Sequence, residues 1–401
     1  MENLIRTSQR LVAAVDTTLH RYLYYQTEWD DRLVMIQGAR GVGKSTMMWQ
    51  RIKEQFGPSG TALYATCDNL WFADNKILDL VEYHYTHGGT HLFLDEIHRY
   101  NGNWQQELKN IYDSYPGYHV AFTGSSIIHL DNALADLSRR CLPYRLYGLS
   151  FREYLVFEGI ANIRPYTFDE ICERGNEIQW EIINALPDKV LSLFEAYLGK
   201  AYYPFYRSSG SRGSYYGRIE RIIDASLTQD LPAVENIEYE TIQKLRRLLY
   251  VISMESPFTL NASELSKKVE VSRNTLVKMF DILAKGAILR SVNSGWRSPK
   301  SVAKPAKILF DNADMLYSLT SKQEIGTVRE TFVASMLAVG HTIYEPPTGD
   351  FLVDEKYTLE VGGRRKSFRQ IADIPCSYIV VDEEETTVGN KIPMWLLGFL
   401  Y

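Results

Sequence analysis

The stretch "DRLVMIQGARGVGKSTMMWQRI", residues 31 to 52, decides the reading of the first part of the chain. A β-rich run, Leu33 to Ile36, leads into Gly38-Ala39-Arg40-Gly41-Val42-Gly43-Lys44-Ser45, and a helix-like segment comes next. This is the GxxxxGK[ST] pattern in the strand, loop, helix order that gives it meaning. Glycines 38, 41 and 43 let the backbone wrap an anion, the amides up to Thr46 point inward, and the helix N-terminus adds its dipole. In that setting Lys44 reaches the β- and γ-phosphates of a nucleotide and Ser45 ligates magnesium, so ATP (with ADP as product) and Mg2+ are the expected ligands.

A second stretch supports the first. "THLFLDEIHRY", residues 90 to 100, is a buried-strand pattern that delivers Asp95 and Glu96 to a carboxyl edge, where Asp95 holds the metal and Glu96 acts as general base. "GYHVAFTGSSIIHL" predicts another strand, ending at Thr123 to Ser126 between those acids and the phosphate. Ser125 or Ser126 is then a γ-phosphate sensor or a plain serine-rich turn. Arg139 and Arg140 come after it, either as arginines that stabilise transition-state charge, from within the chain or from a neighbour, or as surface partners of carboxylates.

Composition sets the frame. With 401 residues, 45% hydrophobic and 23% charged, the chain can bury several cores and is expected to form two to four domains. A net charge of -5 excludes a protein that coats nucleic acid by bulk charge and leaves room for a local basic site. Four scattered cysteines with no ligand spacing point to a reducing, cytoplasmic setting without structural zinc. No apolar run approaches the roughly 20 residues that span a bilayer, so no membrane partner is expected, and the closing "MWLLGFLY" reads as a buried final segment.

Residues 151 to 235 are helix-compatible and aromatic, which suggests an α-helical lid behind a nucleotide core at 1 to 150. Within it "YYPFYRSSGSRGSYYGRIERII" reads as a mobile loop because of its glycines. Residues 236 to 300 include a winged helix-turn-helix pattern: a helix at about 262 to 268, a turn at 269 to 271, Ser272 as N-cap of a second helix, and "GAILRSV" as a wing strand. Eight Lys/Arg against three Asp/Glu over residues 256 to 300 make this region locally basic. Arg273, Asn274 and Lys278 on the second helix are the residues to contact double-stranded DNA, the alternative being packing or protein contact.

In "TGDFLVDEKYTLEVGGRRKSF", residues 348 to 368, Asp350 and Glu360 bracket a strand at the spacing of metal-dependent nucleases, and Glu330 could add a third ligand from a preceding helix. Such sites keep a lysine two residues after the second acid. Gly362 stands there, so the expectation is a degenerate nuclease-like shell unless Arg364, Arg365 or Lys366 migrates in.

Taken in order, "GARGVGKST", "FLDEIHR", "FTGSS", "GLSFREYL", "GTVRETFVASML" and "KIPMWLLGFLY" resemble prokaryotic AAA-type P-loop ATPases with a carboxy-terminal domain of unknown function, a group near the archaeal and STAND-like ATPases. The resemblance covers nearly the whole chain. It implies a multi-domain protein: an α/β P-loop NTPase core, a helical lid, a winged helix-turn-helix, and an α/β degenerate restriction-endonuclease-like domain at 301 to 401. It carries over Lys44 and Ser45 as phosphate-loop residues, Asp95 and Glu96 as the acid pair, and Arg139 or Arg140 as the arginine. Hydrolysis of ATP, coupled to DNA, a second copy of the chain or a protein partner, is the function it implies. A nuclease gated by ATP and a non-hydrolysing switch are the alternatives.

Overall fold

A computed structural model describes residues 1–125, 137, 139–234, 237–254, 262–294, 305–320 and 322–401. The chain divides into two compact units, Met1–Tyr147 with Ala225–Asn236, and Gly148–Asp224 with Ile237–Tyr401. Among the described residues no helix is long and apolar enough to cross a membrane.

In the first unit five strands form a parallel sheet: β1 Leu33–Gly38, β2 Ala62–Thr66, β3 His91–Asp95, β4 His119–Ser125 and β5 Leu142–Arg145. Their order is β2-β3-β4-β1-β5. Every residue of β1 is buried, as a parallel strand covered on both faces requires. Leu33, Met35, Leu92, Leu94, Val120 and Phe122, alternate residues of three neighbouring strands, enter one apolar core. In this order the carboxyl end of β1 lies beside that of β4, and β4 lies between β1 and the acid-bearing β3. Ligands of open parallel sheets bind at that edge.

The second unit holds a seven-stranded mixed sheet of β6 Leu289–Ser294, β7 Pro305–Phe310, β8 Ile343–Glu345, β9 Phe351–Val353, β10 Tyr357–Gly362, β11 Ser377–Val381 and β12 Lys391–Pro393. The order is β12-β11-β10-β9-β8-β6-β7. β9 and β10 form an antiparallel hairpin, and β10, β11 and β12 run parallel. The helix Ile325–Leu337, buried over most of its length, packs on β10 and β7.

This grouping differs from the four-part division expected along the chain. Phe151 and Phe194, from the presumed lid, meet Phe399 and Phe332 from the carboxy-terminal part at ring distances of 5.7 and 5.1 Å. Gly398 approaches so closely that a Cβ there would lie 2.5 Å from that of Phe151. Shared aromatic packing of this kind merges the two stretches into one core. The stretch read as a wing strand is β6, which pairs with β7 on one side and β8 on the other and so belongs to the seven-stranded sheet.

The tyrosine-rich stretch after residue 201 is also a correction. It forms a 3-10 turn, Pro204–Ser208, and a helix, Arg212–Ala225, with Tyr202, Tyr203, Tyr206 and Tyr215 buried. Asp314 accepts hydrogen bonds from the Tyr215 hydroxyl and, at 2.9 Å, from the Tyr202 amide. Polar ends satisfied inside the core let tyrosines act as core residues, which a glycine count does not reveal. Burial pushes the Asp314 carboxyl up to about 7, against those two donors.

The helix Ala262–Val269, the short turn and the helix Arg273–Lys285 occur where expected, and the Ser272 hydroxyl caps the second by accepting from the Thr275 amide at 3.1 Å. Residues 255 to 261 and 295 to 304, with Arg297 and Lys300 of the basic count, lie outside the described residues.

Candidate functional site

The phosphate loop runs from the end of β1 to the helix Lys44–Gln55. Gly41 and Gly43 have φ of 86° and 103°, values that let successive amides face one centre. Gly38 admits no side chain, since a Cβ would sit 2.4 Å from the Leu146 carbonyl oxygen. Lys44 is buried and donates to the carbonyls of Gly38 at 2.8 Å and Ala39 at 3.0 Å, so its ammonium is held at the mouth of its own loop. Burial pushes its pKa down, while Glu96, Asp95 and Asp230 oppose that shift. Ser45 and Thr46 lie in the first turn of the helix, half-buried and exposed in that order.

Asp95 ends β3 and is buried. Its Oδ2 accepts from Tyr64 at 2.7 Å, and Thr123 Oγ1 donates to its Oδ1. These neutral donors orient the carboxylate without cancelling its charge, which suits a cation ligand. Glu96 adopts a left-handed conformation, φ 53°, that turns the chain sharply after the strand. The Glu96 amide meets Thr123 Oγ1 at 3.0 Å, and its carboxylate projects half-exposed at the edge. Lys44 and the Asp95–Glu96 pair, far apart in sequence, thus come to the carboxyl edge of one sheet, after β1 and β3, the two strands that flank β4.

Ser125 lies in register with Gly38 and is buried, with its amide 3.4 Å from His98 Nδ1. Ser126 lies outside the described residues. Arg139 and Arg140 fall elsewhere. β5 pairs with β1 from Val34↔Leu142, which sets Arg140 level with Arg32 at the amino edge of the sheet. There Arg140 forms a two-pronged ion pair with Asp113, both contacts 3.1 Å, and Arg139 is exposed. The six residues of β1 span about 20 Å, more than an arginine side chain can cross, so neither serves the phosphate loop of its own chain.

Several residues at this edge carry no motif. The guanidinium of Arg21 donates to the Val42 carbonyl inside the phosphate loop and to Tyr147 at 2.8 Å. His98 Nε2 lies 3.2 Å from Glu96 and 3.6 Å from Asp230, without hydrogen-bond alignment. Asp230 comes from far along the chain and also pairs with Arg99 at 2.7 Å and Arg40 at 3.7 Å. A charged side chain expected near another charge would have to be guessed across more than a hundred residues, and no local pattern allows that.

In the second unit Arg273, Asn274 and Lys278 are exposed on the helix Arg273–Lys285, with Arg273 turned back to the Ser263 hydroxyl. Lys268 and Lys285 pair with Glu264 and Asp281, two of the three acids already set against the basic residues in that count. The nuclease-like acids do converge. Lys307 Nζ bridges Glu330 at 2.7 Å and Asp350 at 3.6 Å, and Asp350 Oδ2 accepts from the Val361 amide at 2.7 Å. Lys366 pairs with Glu360, and its side chain fills the space into which a Cβ on Gly362 would project, at 2.7 to 2.8 Å. The lysine absent from position 362 in sequence is present there in space. Burial pushes the Glu330 carboxyl up, with Lys307 opposing.

Residues 30–155 match the AAA domain family. That match falls largely within the first unit. Residues 191–324 match a domain of unknown function, DUF8612, which names no activity. The chain is 28% identical over 409 residues to the uncharacterized protein MJ1637 of Methanocaldococcus jannaschii, covering 92% of this chain and 84% of that protein. Similar solved structures include AMPPCP-bound DnaA from Aquifex aeolicus, with 10% identity, 70% of this chain and 86% of that chain covered, and TM-score 0.29. A DNA replication initiation factor aligns at 13% identity over 67% of this chain and 84% of its own, with TM-score 0.25. Superpositions that loose carry no weight for function here.

Proposed function

We propose that this chain is a magnesium-dependent ATPase whose AAA-type unit binds ATP along Gly38 to Thr46 and hydrolyses it with Glu96. The observation that carries this reading is that Lys44 and the Asp95–Glu96 pair stand at the carboxyl edge of one parallel sheet, after the two strands that flank β4, with Asp95 oriented by Tyr64 and Thr123. Ser45 and Asp95 are the residues that would hold magnesium, whose charge would offset that of the phosphate oxygens. Glu96 withdraws the proton of the attacking water, and Lys44 carries the β- and γ-phosphates. Nucleotide state would be reported to duplex DNA or a protein partner by the second unit, with Arg273, Asn274 and Lys278 as the DNA contacts. Glu96→Gln is expected to retain ATP binding and lose about 100-fold or more in phosphate release, while Lys44→Ala loses both. Equal phosphate release by wild type and Glu96→Gln would sink the assignment, and stimulation by duplex DNA would support the coupling.

One observation favours a second reading, that the second unit cleaves phosphodiesters with a divalent metal. Lys366 supplies from four residues on the cation that Gly362 lacks, beside Glu360 and within the same acid cluster as Glu330 and Asp350. Nicking of supercoiled plasmid with magnesium or manganese, lost in both Glu360→Ala and Lys366→Ala, is the expected result. Intact plasmid after incubation with the wild type removes this reading and leaves the ATPase proposal untouched.

A further inference from the structure

Asp230 is a buried carboxylate for which neither the phosphate loop nor the acid pair gives a reason. It ends a π-helical turn, Ser226–Asp230, in a helical stretch that begins at Arg212. π-turns insert a residue, rotate the helix beyond them and recur at functional sites. Here the turn brings Asp230 against three groups of the nucleotide edge. Arg40 belongs to the phosphate loop itself, while His98 and Arg99 belong to the turn just after Glu96. The neighbouring Gln229 also accepts from Arg99 at 3.0 Å and from Arg40 at 3.5 Å.

Glu96, His98 and Asp230 present ligand atoms within 4.8 Å of one another, close enough to share a cation. Charge argues for the opposite ligand. Two permanent guanidinium cations face the same carboxylate, so what they complement is an anion. Burial alone would push the Asp230 carboxyl up, yet His98, Arg40 and Arg99 more than offset this and hold it below the ordinary range. Asp230 is therefore a resident anion in a cationic socket whose walls are the phosphate loop and the turn of the catalytic glutamate.

We propose that Asp230 sets selectivity between nucleoside triphosphate and diphosphate, by occupying an Arg40/Arg99 socket from which the terminal phosphate, and not the β-phosphate, displaces it. This rests on the ATPase reading and specifies its regulation. A triphosphate must break the Asp230 contacts to gain the arginines, which lowers its affinity by the fraction of time the socket is closed. A diphosphate does not reach the socket and leaves Asp230 in place. The segment Ala225–Asn236 is also flanked in the chain on both sides by residues of the second unit, so its release is a covalently connected output of phosphate occupancy.

The test is titration of fluorescent ATP and ADP analogues into wild type, Asp230→Asn, Arg40→Gln, Arg99→Gln and Lys44→Ala. Asp230→Asn removes the charge at nearly constant shape and is expected to tighten ATP by about tenfold with ADP within about twofold. In an Arg99→Gln background that gain should vanish, because the liberated cation is gone. Should Asp230→Asn not fold cooperatively, the arginine variants decide: each is expected to weaken ATP by about fivefold and spare ADP. An unchanged ATP/ADP ratio in a folded Asp230→Asn, or equal weakening of both nucleotides in the arginine variants, overturns the proposal. If Lys44→Ala abolishes binding in that same experiment, the ATPase reading still stands, whereas a wild type that binds neither nucleotide overturns both.

Discussion

Each unit gathers acids and lysines in one place, and the two clusters handle their charge in opposite ways. At the phosphate loop Lys44 is held by backbone carbonyls and Asp95 by the hydroxyls of Tyr64 and Thr123. Among the described residues no lysine is spent on Asp95, so its charge remains available to a ligand. In the second unit Lys307 lies on Glu330 and Asp350, and Lys366 on Glu360. There two lysines set their charge against three acids, so most of that cluster's charge is already compensated by its own side chains. A set of acids with a suitable spacing is thus only half of a site; what compensates them decides whether they can hold something else.

The sharpest way to break this comparison is to make the same change in both places. Lys44→Ala is expected to abolish ATP binding, a loss of at least about 100-fold, while the unfolding midpoint of the first unit stays level or rises. The physical reason is that burial opposes the Lys44 charge, so removing it relieves a desolvation cost. Lys307→Ala should do the reverse, leaving ATP binding intact and lowering the stability of the second unit by about 1–3 kcal/mol, because Glu330 and Asp350 would then face each other half-buried. Urea unfolding followed by tryptophan fluorescence, paired with nucleotide titration, measures both. A Lys307→Ala protein of unchanged stability would mean that the acids do not depend on that lysine, and the contrast between the units would fail.

The parts legible in the sequence are those in which neighbours along the chain are neighbours in space. The glycine spacing of residues 38 to 45 and the apolar run before Asp95 place their groups through a single strand and turn, and the structure has β1 and β3 end there. Ser272 caps the second helix for the same local reason. What the sequence conceals depends on return paths. Lys366 reaches position 362 because a turn, closed by the Lys366 amide on the Gly363 carbonyl at 2.9 Å, folds the chain back on itself. Asp230 reaches Arg40 and Arg99 only after the chain has built part of the second unit and come back. The buried tyrosines near Asp314 read as a loop in sequence because composition records glycines and not the acceptors that make a tyrosine comfortable in a core.

The smallest expected effect concerns the arginine that looks most catalytic from its position in the chain. Arg140 is level with the start of β1, its guanidinium lies over the Tyr112 ring at 5.7 Å, and Asp113 takes both of its prongs. An ion pair this exposed contributes at most about 1 kcal/mol, so Arg140→Ala should cost little stability. Phosphate release in dilute solution should also stay within about twofold of wild type, since Arg140 cannot cross the sheet to its own phosphate loop. The concentration dependence carries the further information. A transition-state arginine supplied by a neighbouring copy would act only when chains associate, so its loss would appear as a defect that grows with protein concentration. A defect already present at the lowest concentration, and constant above it, would contradict the placement of Arg140 at the amino edge.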